Sequence, residues 1–443
     1  MSIADGRRLP VAVFRLDVER LRQGWYSDQY FNNLALILGQ LAAEGYHYRG
    51  NYPHPGVAQP ERVEVGNLEV EMQFFAKREP FCIAAGVDNA LAILSSCCGY
   101  HDGDRFVPTA DRLQVEAVQD GDRLAPWEPA IRVRGRYRDF ATLETPLLGA
   151  LARRSRIATN VYESFVASRG KMILFFPARF DIHETQAGDG YAYRIGLERY
   201  RLEHEGGAAP MVSTHAQGDW WGQRGGGTIA HAYILSFLAD TAEAALQFAR
   251  IMPPETPRIA LVDTNNDCVT DSLRCARALF AEYLRLTRAQ QSEEARKYVL
   301  SGVRADTSER LCDASVEPLG DPRLDCGVTP RLVLALRRAL DAEGDRIEVP
   351  AGERELAQRY FRGIRIVVTG GFDPDKIALF ERLGLPVDTY GVGSYLLRGP
   401  SNDFTADVVR VKIDGRWIDL AKVGRGHRDN PDLRPISLPL PAS

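Results

Sequence analysis

The sequence contains no apolar run long enough to span a bilayer, although 45% of its 443 residues are hydrophobic. It also has little net charge, −4 at pH 7, which gives no support for a nucleic-acid partner. The apolar stretch near the N-terminus is interrupted by Arg15 and Asp17, so no signal peptide is expected. These absences predict a soluble, cytoplasmic globular protein of about two or three domains, with neither a membrane nor a nucleic acid as partner.

Cysteine is scarce and shows no metal-binding spacing. The seven cysteines include no CxxC pair, which argues against a zinc framework. Because their number is odd and the chain is expected in the cytoplasm, reduced thiols are predicted. The eight histidines also lack the mutual spacing of a metal site. The sequence therefore predicts no metal centre built from cysteine or histidine.

The first 143 residues have the pattern of an N-terminal α+β domain. Residues 62–65 and 68–74 alternate apolar with polar side chains, as half-buried strands do. Residues 130–135 predict a further strand, and residues 87–96 predict a helix.

From residue 144 to residue 399, short apolar runs alternate with helical segments. Five of these runs end in glycine or polar residues: 171–176, 258–262, 300–303, 365–368 and 387–390. Repeated β-then-α units predict a parallel sheet, and their spacing suits a complete or irregular α/β barrel. In such barrels the functional residues gather at the carboxyl ends of the strands. Residues 400–443 return to strand patterns and are expected to pack on the N-terminal domain.

A glycine-rich segment, Gly225-Gly226-Gly227-Thr228, precedes a predicted helix at residues 229–237. Thr228 is the expected cap, which places His231 in the first turn beside unpaired amide groups that attract phosphate. An imidazole at such a place can act as a nucleophile, a base or a hydrogen-bond donor. Taken alone, the segment is better explained as a capped surface helix with an incidental histidine.

Two predicted strand-to-helix turns at the end of the barrel are rich in glycine. Gly370 and Gly371 form the first turn, and Gly391, Gly393 and Ser394 form the second. The last strands of barrels often bind phosphate through backbone amides and a helix N-terminus. The two turns together predict a site for a phosphate monoester, to which Ser394 would add a hydroxyl.

Charged residues follow the other predicted strands. Asp263, Asp267 and Asp306 supply carboxylates, which beside a phosphate site hold Mg²⁺ or ribose hydroxyls. Asp267 suits a helix cap equally well. Arg179 and Arg304 offer guanidinium groups for a carboxylate or a diphosphate, or alternatively for a salt bridge at the barrel mouth.

Tyr30 lies at the start of a predicted N-terminal helix. An aromatic ring at that position can stack on a flat heterocycle, and packing in the core is the alternative.

Taken in order, these segments resemble the nicotinate phosphoribosyltransferases, particularly their shorter archaeal-type branch. The resemblance rests on residues 27–31 (SDQYF), 77–79 (KRE), 144–149 (ETPLLG), 176–179 (FPAR), 227–232 (GTIAHA), 261–264 (LVDT), 302–307 (GVRADT), 370–373 (GGFD) and 387–394 (VDTYGVGS). No single motif is decisive, but the ordered set runs nearly from end to end.

The resemblance implies the fold of type II phosphoribosyltransferases, an N-terminal α+β domain with an irregular TIM-like α/β barrel, working as a homodimer. It implies that nicotinate attacks phosphoribosyl pyrophosphate to give nicotinate mononucleotide and pyrophosphate, a step of NAD biosynthesis. Mg²⁺ is the implied cofactor. ATP is the implied co-substrate, hydrolysed through a phosphorylated histidine that corresponds to His231, so the enzyme would be classed as a ligase.

The resemblance also implies roles for other residues of the candidate site. Tyr30 would stack on the pyridine ring across the dimer interface. Thr228 and Arg304 would contact nicotinate, with Arg179 close to the same pocket. The residues implied for the ribose 5-phosphate are Gly370, Gly371, Gly391, Gly393 and Ser394, and those implied for the ribose and the metal are Asp263 and Asp306.

The sequence departs from the family pattern in several places. Pro177, Phe180, Ala305 and Ser394 replace residues that are usual there, and residues 312–325 form an insertion. These departures leave two alternatives open. One is a related enzyme for nicotinamide or another base, and the other is a nucleotide-binding protein without catalytic activity.

Overall fold

The computed structural model describes residues 6–52, 54, 56–400 and 402–438. Within that part of the chain, no helix combines the length and the apolar character needed to cross a membrane. The N-terminal helices are α1 Val18–Arg22, α2 Gln29–Ala43 and α3 Val87–Cys97. The N-terminal strands are β1 Glu69–Ala76, β2 Cys82–Ile83, β3 Gly99–Asp102, β4 Arg105–Pro108, β5 Gln114–Ala117, β6 Arg123–Leu124 and β7 Pro129–Arg136.

The second part of the chain alternates strands and helices. Its helices are α4 Glu144–Ala167, α5 Gln186–Glu203, α6 His215–Gly218, α7 His231–Leu235, α8 Thr241–Ile251, α9 Cys268–Arg288, α10 Ser292–Arg296, α11 Pro322–Asp325, α12 Pro330–Arg346, α13 Arg354–Arg362, α14 Pro374–Arg382 and α15 Ser394–Leu397. Its strands are β8 Met172–Phe175, β9 Ile259–Leu261, β10 Gly302–Ala305, β11 Arg365–Val368 and β12 Thr389–Val392. The chain then forms β13 Phe404–Ile413, β14 Arg416–Asp419 and β15 Arg434–Ile436.

A six-stranded antiparallel sheet forms the N-terminal domain, in the order β14-β13-β1-β7-β5-β15. Three of its strands, β13, β14 and β15, come from the end of the chain. Strand β13 pairs with β1 from Glu69 opposite Lys412 to Ala76 opposite Phe404. The alternation in β1 predicts one solvated face, but both faces are buried. The reason is that the chain end covers the polar face, where Gln73 exchanges hydrogen bonds with the backbone of Arg428.

Five parallel strands form the second sheet, in the order β8-β12-β11-β10-β9. Extended backbone continues this sheet past β8, because the Phe175 amide donates to Met211 O and the Gly226 amide donates to Val212 O. The Arg304 side chain on β10, the strand next to the far edge strand β9, donates to Ile229 O and so links this far side of the sheet to the extended backbone. This incomplete circle confirms the predicted irregular α/β barrel.

The long helix α4 joins the two hydrophobic cores. Its first half contributes Leu147 and Leu151 to the core under the antiparallel sheet. Its second half contributes Ile157, Val161 and Phe165 to the barrel core. Because one rigid helix belongs to both cores, it fixes the barrel relative to the N-terminal sheet.

Two local predictions are wrong. Residues 62–65 do not form a strand, because the chain makes 3-10 turns at Pro60–Arg62 and Val65–Asn67 where it packs against α2. The helix predicted at residues 229–237 is shorter, His231–Leu235, and its N-cap is Ala230 rather than Thr228. No side chain caps this helix, since the backbone before it is extended and contributes to the barrel.

The prediction of reduced thiols is wrong for one pair, because Cys312 and Cys326 form a disulfide. The Gly327 amide donates to Leu311 O, which sets the two cysteines opposite each other as an antiparallel bridge. The sequence spacing gives no indication of this pairing. The disulfide closes the insertion at residues 312–325, and the other five cysteines are free and buried.

Two glycine-to-alanine substitutions in helices are predicted to have opposite effects on stability. A Cβ atom at Gly190 in α5 would lie 1.9 Å from Gln217 O in α6, so Gly190→Ala should lower the free energy of unfolding by about 3 kcal/mol. A Cβ at Gly149 in α4 would meet no atom within 4 Å, so Gly149→Ala should raise it by up to about 1 kcal/mol. Urea unfolding of both variants is the measurement, and equal effects would contradict the packing of α5 on α6.

Candidate active site

The carboxyl ends of the parallel strands bring together most of the predicted site residues. In register, Arg304 on β10 pairs with Leu261 on β9 and with Val367 on β11. Val368 on β11 pairs with Tyr390 on β12. The residues that follow these paired positions therefore meet at one end of the barrel: Asp263, Asp306, Gly370, Gly371, Gly393 and Ser394.

His231 and Asp263 form the closest polar pair at this end. The Nε2 atom of His231 lies 3.0 Å from Oδ1 of Asp263, although the two residues are 32 positions apart in the chain. Burial raises the pKa of Asp263, the neighbouring His231 opposes this shift, and the charge of Asp306 adds to it. The histidine is half-exposed, with 44% of its side chain accessible, so its ring can reach a ligand in the barrel mouth.

Arg304 points into the same region from β10. Burial lowers the pKa of its guanidinium, Asp306 and Asp263 oppose that shift, and Arg179 adds to it. Its contacts are weak, a 3.4 Å bond from Nη2 to Ile229 O and a distance of 6.0 Å from Cζ to the Phe176 ring centroid. Its Nε is buried without an acceptor. A buried donor without a partner is costly, so this group is suited to an anionic ligand.

Arg179 and Thr228 flank Arg304. Arg179 ends the 3-10 turn Pro177–Arg179 after β8, and its charge acts on Arg304. Thr228 lies in the extended backbone directly before Ile229, whose carbonyl accepts the bond from Arg304. The barrel thus brings Arg179 and Thr228 next to Arg304.

Two glycine turns, Gly370-Gly371 and Gly391–Gly393, border the same end of the barrel and are called the glycine wall. Gly370 and Gly371 have φ values of 85° and 67°, which favour glycine, and a Cβ on Gly370 would lie 3.2 Å from Oδ1 of Asp306. A Cβ on Gly393 would lie 2.7 Å from the Phe180 ring, and one on Gly391 would lie 2.3 Å from Cγ2 of Thr369. Only glycine therefore allows these four positions to keep this geometry.

Lys376 is a site residue that sequence reasoning missed. It lies in the first turn of α14, whose cap Asp373 accepts from the Lys376 amide at 2.8 Å. Its Nζ donates to Gly370 O at 3.4 Å, and burial lowers the pKa of this amine. The signal was the position of a lysine three residues after the capping aspartate of the glycine turn, which places it beside Gly370.

Asp267, for which two roles were open, caps helix α9. Its Oδ1 accepts from the Thr270 amide at 3.0 Å and from the Ser315 hydroxyl at 2.7 Å. Both bonds hold Oδ1 at the start of α9. The capping interpretation is therefore the one that the geometry favours.

Tyr30 lies on the N-terminal domain, in the first turn of α2. Its side chain is 62% exposed, and its ring centroid lies 4.3 Å from that of Phe31. Its hydroxyl donates to Oδ2 of Asp28 at 3.5 Å, and the same oxygen accepts from the Thr145 hydroxyl at 3.0 Å. The contacts of Tyr30 therefore come from its own domain and from the start of α4 rather than from the barrel end.

Glu144, close to Tyr30, gives a prediction for the pH dependence of stability. Burial raises the pKa of this carboxyl from 4.5 to about 8, with Asp407 and Asp28 adding to the shift. The folded protein then holds a proton that the unfolded chain has lost, so stability falls as the pH rises between these values. Glu144→Gln should remove part of this loss, whereas Glu61→Gln, at an exposed position, should not.

Thermal unfolding at about pH 5 and about pH 8 measures this effect as the difference between the two midpoints. The difference should be smaller for Glu144→Gln than for the unchanged protein. An identical difference in all three proteins would show that Glu144 carries no proton at neutral pH.

Two carboxylates at the barrel end, Asp263 and Asp306, are the candidate ligands for Mg²⁺. Among the described residues, no group of three or more His, Cys, Asp or Glu side chains could hold a metal by itself. Mg²⁺ is usually bound by one or two carboxylates together with water and substrate phosphates, so a complete protein cage is not required. The charge of Asp306 raises the pKa of Asp263, a repulsion that a cation between them would relieve. The pair fits a metal that arrives with a phosphorylated substrate.

Comparison with solved structures identifies the class of fold. A nicotinate-nucleotide pyrophosphorylase from Pyrococcus furiosus superimposes with a TM-score of 0.64 at 22% identity, over 93% of this chain and 81% of that one. Human nicotinic acid phosphoribosyltransferase gives a TM-score of 0.57 at 17% identity, over 87% and 74% of the two chains. The fold is therefore that of the type II phosphoribosyltransferases, as predicted.

Sequence comparison gives a narrower resemblance. The family described as quinolinate phosphoribosyl transferase, N-terminal domain, matches residues 59–155. Nicotinate phosphoribosyltransferase 1 of Arabidopsis thaliana is 31% identical over 128 residues, 29% of this chain and 21% of that protein. Nicotinate phosphoribosyltransferase pncB2 of Mycobacterium tuberculosis is 26% identical over 306 residues, 68% of this chain and 52% of that protein. The chain spans about half or less of these curated relatives, and their names confirm the resemblance drawn from its motifs.

Proposed function

We propose that this protein is a nicotinate phosphoribosyltransferase, which joins nicotinate to phosphoribosyl pyrophosphate and releases pyrophosphate. The observation that carries the proposal is Arg304, a guanidinium whose Nε is buried without an acceptor and whose charge interacts with those of Asp306 and Asp263 at the barrel end. Those parts match the needs of the two substrates, a flat carboxylate and a sugar bearing phosphates. The names of the curated relatives support the same activity.

Nicotinate would bind with its carboxylate on Arg304. The planar guanidinium forms two parallel hydrogen bonds with a carboxylate, which also fixes the plane of the pyridine ring. Thr228 and Arg179 border this position, and the Phe176 ring lies 6.0 Å from the Arg304 guanidinium. Fixing the ring matters because the pyridine nitrogen is a weak nucleophile that must be aimed at the anomeric carbon.

The sugar phosphate would bind at the two glycine turns. Gly370, Gly371 and Gly393 leave backbone amides accessible to the 5-phosphate, and the Ser394 hydroxyl lies at the start of α15. Lys376 adds a cation beside Gly370 O. Backbone amides and a buried amine bind a phosphate without depending on the identity of the sugar.

The chemical step breaks the bond between the anomeric carbon and pyrophosphate while the pyridine nitrogen forms the new bond. Positive charge develops on the ribose, where Asp263 and Asp306 can stabilise it, and negative charge develops on the leaving group near Arg179. Mg²⁺ bound by Asp263 and Asp306 would supply charge neutralisation for the diphosphate.

ATP coupling would act through His231. Because an ionised carboxylate only accepts hydrogen bonds, Asp263 holds the hydrogen on Nε2 and leaves the lone pair on Nδ1. We therefore place the phosphoryl group from ATP on Nδ1, where a new N–P bond replaces the bond to ADP. The resulting dianion beside the diphosphate position would favour release of pyrophosphate.

Replacement of His231 tests this coupling. His231→Ala should abolish stimulation by ATP and the incorporation of phosphate from γ-labelled ATP, because it removes the acceptor nitrogen. The measurement is the rate of nicotinate mononucleotide formation with and without ATP. His215→Ala is the matched control, since His215 begins another short helix and bonds the Gly225 amide. Unchanged stimulation in His231→Ala would exclude this histidine as the acceptor.

A homodimer would complete the nicotinate site. Tyr30 is exposed on the N-terminal domain. In a homodimer its ring would stack on the pyridine ring of nicotinate bound to the second subunit. We place the protein in the cytoplasm, where both substrates of the proposed reaction would be available.

Two alternative functions can be distinguished from nicotinate phosphoribosyl transfer by experiment. A related enzyme would use nicotinamide or another base, and a catalytically silent relative would bind the substrates without turnover. Competition of nicotinate by nicotinamide and by quinolinate, a pyridine with two carboxylates, separates the bases. Nicotinate should bind best, because Arg304 pairs with one carboxylate and gains nothing comparable from an amide.

A further inference from the structure

A cavity of about 890 Å³, the N-terminal cavity, lies in the N-terminal domain. One wall is α2, with Asn32, Gly39 and Gln40, and the other is the hairpin of β3 and β4, with Tyr100. No residue of the barrel-end site lines it. Its volume falls in the range of about 300–1,000 Å³ that small-molecule sites have, so it is large enough for a nucleotide.

Arg22 supplies an uncompensated positive charge to this cavity. Its Nε and Nη2 donate to Ser96 O at 3.0 and 2.8 Å, so a neutral carbonyl rather than a carboxylate holds the guanidinium. Its Cζ lies 4.4 Å from the Phe106 ring centroid. The group is therefore fixed in position without losing its charge to a salt bridge.

Two more arginines flank Tyr100 in the cavity. The Cζ atoms of Arg136 and Arg138 lie 5.1 and 4.9 Å from the Tyr100 ring centroid. Arg136 binds the carboxylate of Asp139. Its Nε donates to both carboxylate oxygens at 3.0 Å, and its Nη2 donates to Oδ2 at 2.8 Å. Arg138 is left 3.8 Å from this carboxylate, too far for a hydrogen bond.

Arg138 has the features of a group that lacks its ligand. Its side chain is 13% exposed, and its Nε is buried without an acceptor. Burial lowers the pKa of the guanidinium, and the like charge of Arg136 adds to the shift. Among the described residues that line the cavity, Asp102 is the one carboxylate. An anion placed here would relieve both the repulsion and the unmet hydrogen bond.

We propose that this cavity binds a phosphate-bearing small molecule of about nucleotide size, with its phosphates on Arg22 and Arg138. Guanidinium groups match phosphate oxygens in pairs, and the amides of Gln29, Asn32 and Gln40 can bond sugar hydroxyls. No barrel-end residue of the same chain lines the cavity, so its occupancy can be measured in a protein whose barrel end is altered.

Binding of ATP to a protein with a disabled barrel site tests the proposal. The double variant His231→Ala, Arg304→Met removes the proposed phosphate acceptor and the guanidinium of the barrel end and leaves the N-terminal cavity intact. Calorimetric titration of this protein with ATP should show one saturable site per chain. Arg138→Gln or Gly39→Phe in the same background should weaken binding at least about tenfold.

The two substitutions act by different routes. Gly39→Phe leaves every arginine in place and fills the cavity, since a Cβ at Gly39 meets no atom within 4 Å. If Arg138→Gln does not fold, Gly39→Phe still shows whether ATP binds in the cavity. The matched controls are Gly39→Ala, which leaves most of the volume open, and Arg105→Gln, an exposed arginine on the same hairpin. Both controls should bind ATP as the double variant does.

Inorganic tripolyphosphate serves as the second probe. Displacement of ATP by tripolyphosphate would show that the phosphate chain is enough for binding, and failure to displace it would show that the nucleoside is also recognised. Both outcomes support an anion site in this cavity. Absence of saturable binding by both probes, or binding that Gly39→Phe leaves unchanged, would overturn the proposal.

Discussion

Replacement of Arg304 by methionine is expected to lower kcat/KM for nicotinate by about 100-fold or more. Methionine replaces the unbranched stem of the side chain but lacks the guanidinium that would pair with the substrate carboxylate. Loss of one partner of a buried charge pair costs about 2–5 kcal/mol, which corresponds to a loss of this size. Steady-state formation of nicotinate mononucleotide at saturating phosphoribosyl pyrophosphate measures the effect.

Two further variants sharpen this test. Arg304→Lys keeps the charge but loses the planar pair of donors, so its kcat/KM should lie between those of the unchanged enzyme and Arg304→Met. Arg365→Met removes an exposed arginine from the amino end of the neighbouring strand β11 and should have little effect. If Arg304→Met retained nearly full activity, or gained activity toward nicotinamide without losing nicotinate, the carboxylate would bind elsewhere.

Replacement of Asp306 by asparagine is the second large effect expected. Asp306 follows β10, and its Oδ1 would lie 3.2 Å from a Cβ on Gly370. It therefore borders the glycine wall, where the sugar phosphate is proposed to bind. Loss of its charge should lower kcat/KM for phosphoribosyl pyrophosphate by about 10²–10³-fold, the usual cost of removing one electrostatic stabiliser. It should also raise the Mg²⁺ concentration needed for half-maximal activity.

Asp267→Asn is the matched control for this effect. Asp267 lies close in sequence to Asp263 and caps α9, and asparagine is an equally good cap. The control should therefore keep its activity and its Mg²⁺ requirement. Equal losses in Asp306→Asn and Asp267→Asn would mean that the effect comes from disturbed loops around the site. It would not then come from contact between the Asp306 carboxylate and the substrate.

The strands of the barrel could be predicted from sequence because each is a short apolar run that ends in glycine or charge. The same rule predicted which end of the barrel carries Asp263, Arg304 and Asp306, since parallel strands place their carboxyl ends together. Local pattern was sufficient here because a buried parallel strand needs apolar side chains on both faces.

Features that depend on contacts between residues far apart in the chain could not be predicted from the sequence. The pairing of His231 with Asp263 and the disulfide between Cys312 and Cys326 are set by the packing of loops, which spacing does not encode. Gln73 looked solvent-facing because the chain end that covers it comes more than 350 residues later. The start of helix α7 was misplaced because the extended backbone before it belongs to the barrel, so the helix begins without a capping side chain.

The most direct test of the proposed function is turnover by the purified chain. Nicotinate and phosphoribosyl pyrophosphate with Mg²⁺ should give nicotinate mononucleotide and pyrophosphate in equal amounts, and ATP should raise the yield while His231 is intact. Quinolinate and nicotinamide offered in place of nicotinate should give little or no product. Absence of nicotinate mononucleotide with or without ATP, or faster turnover of another base, would contradict the account.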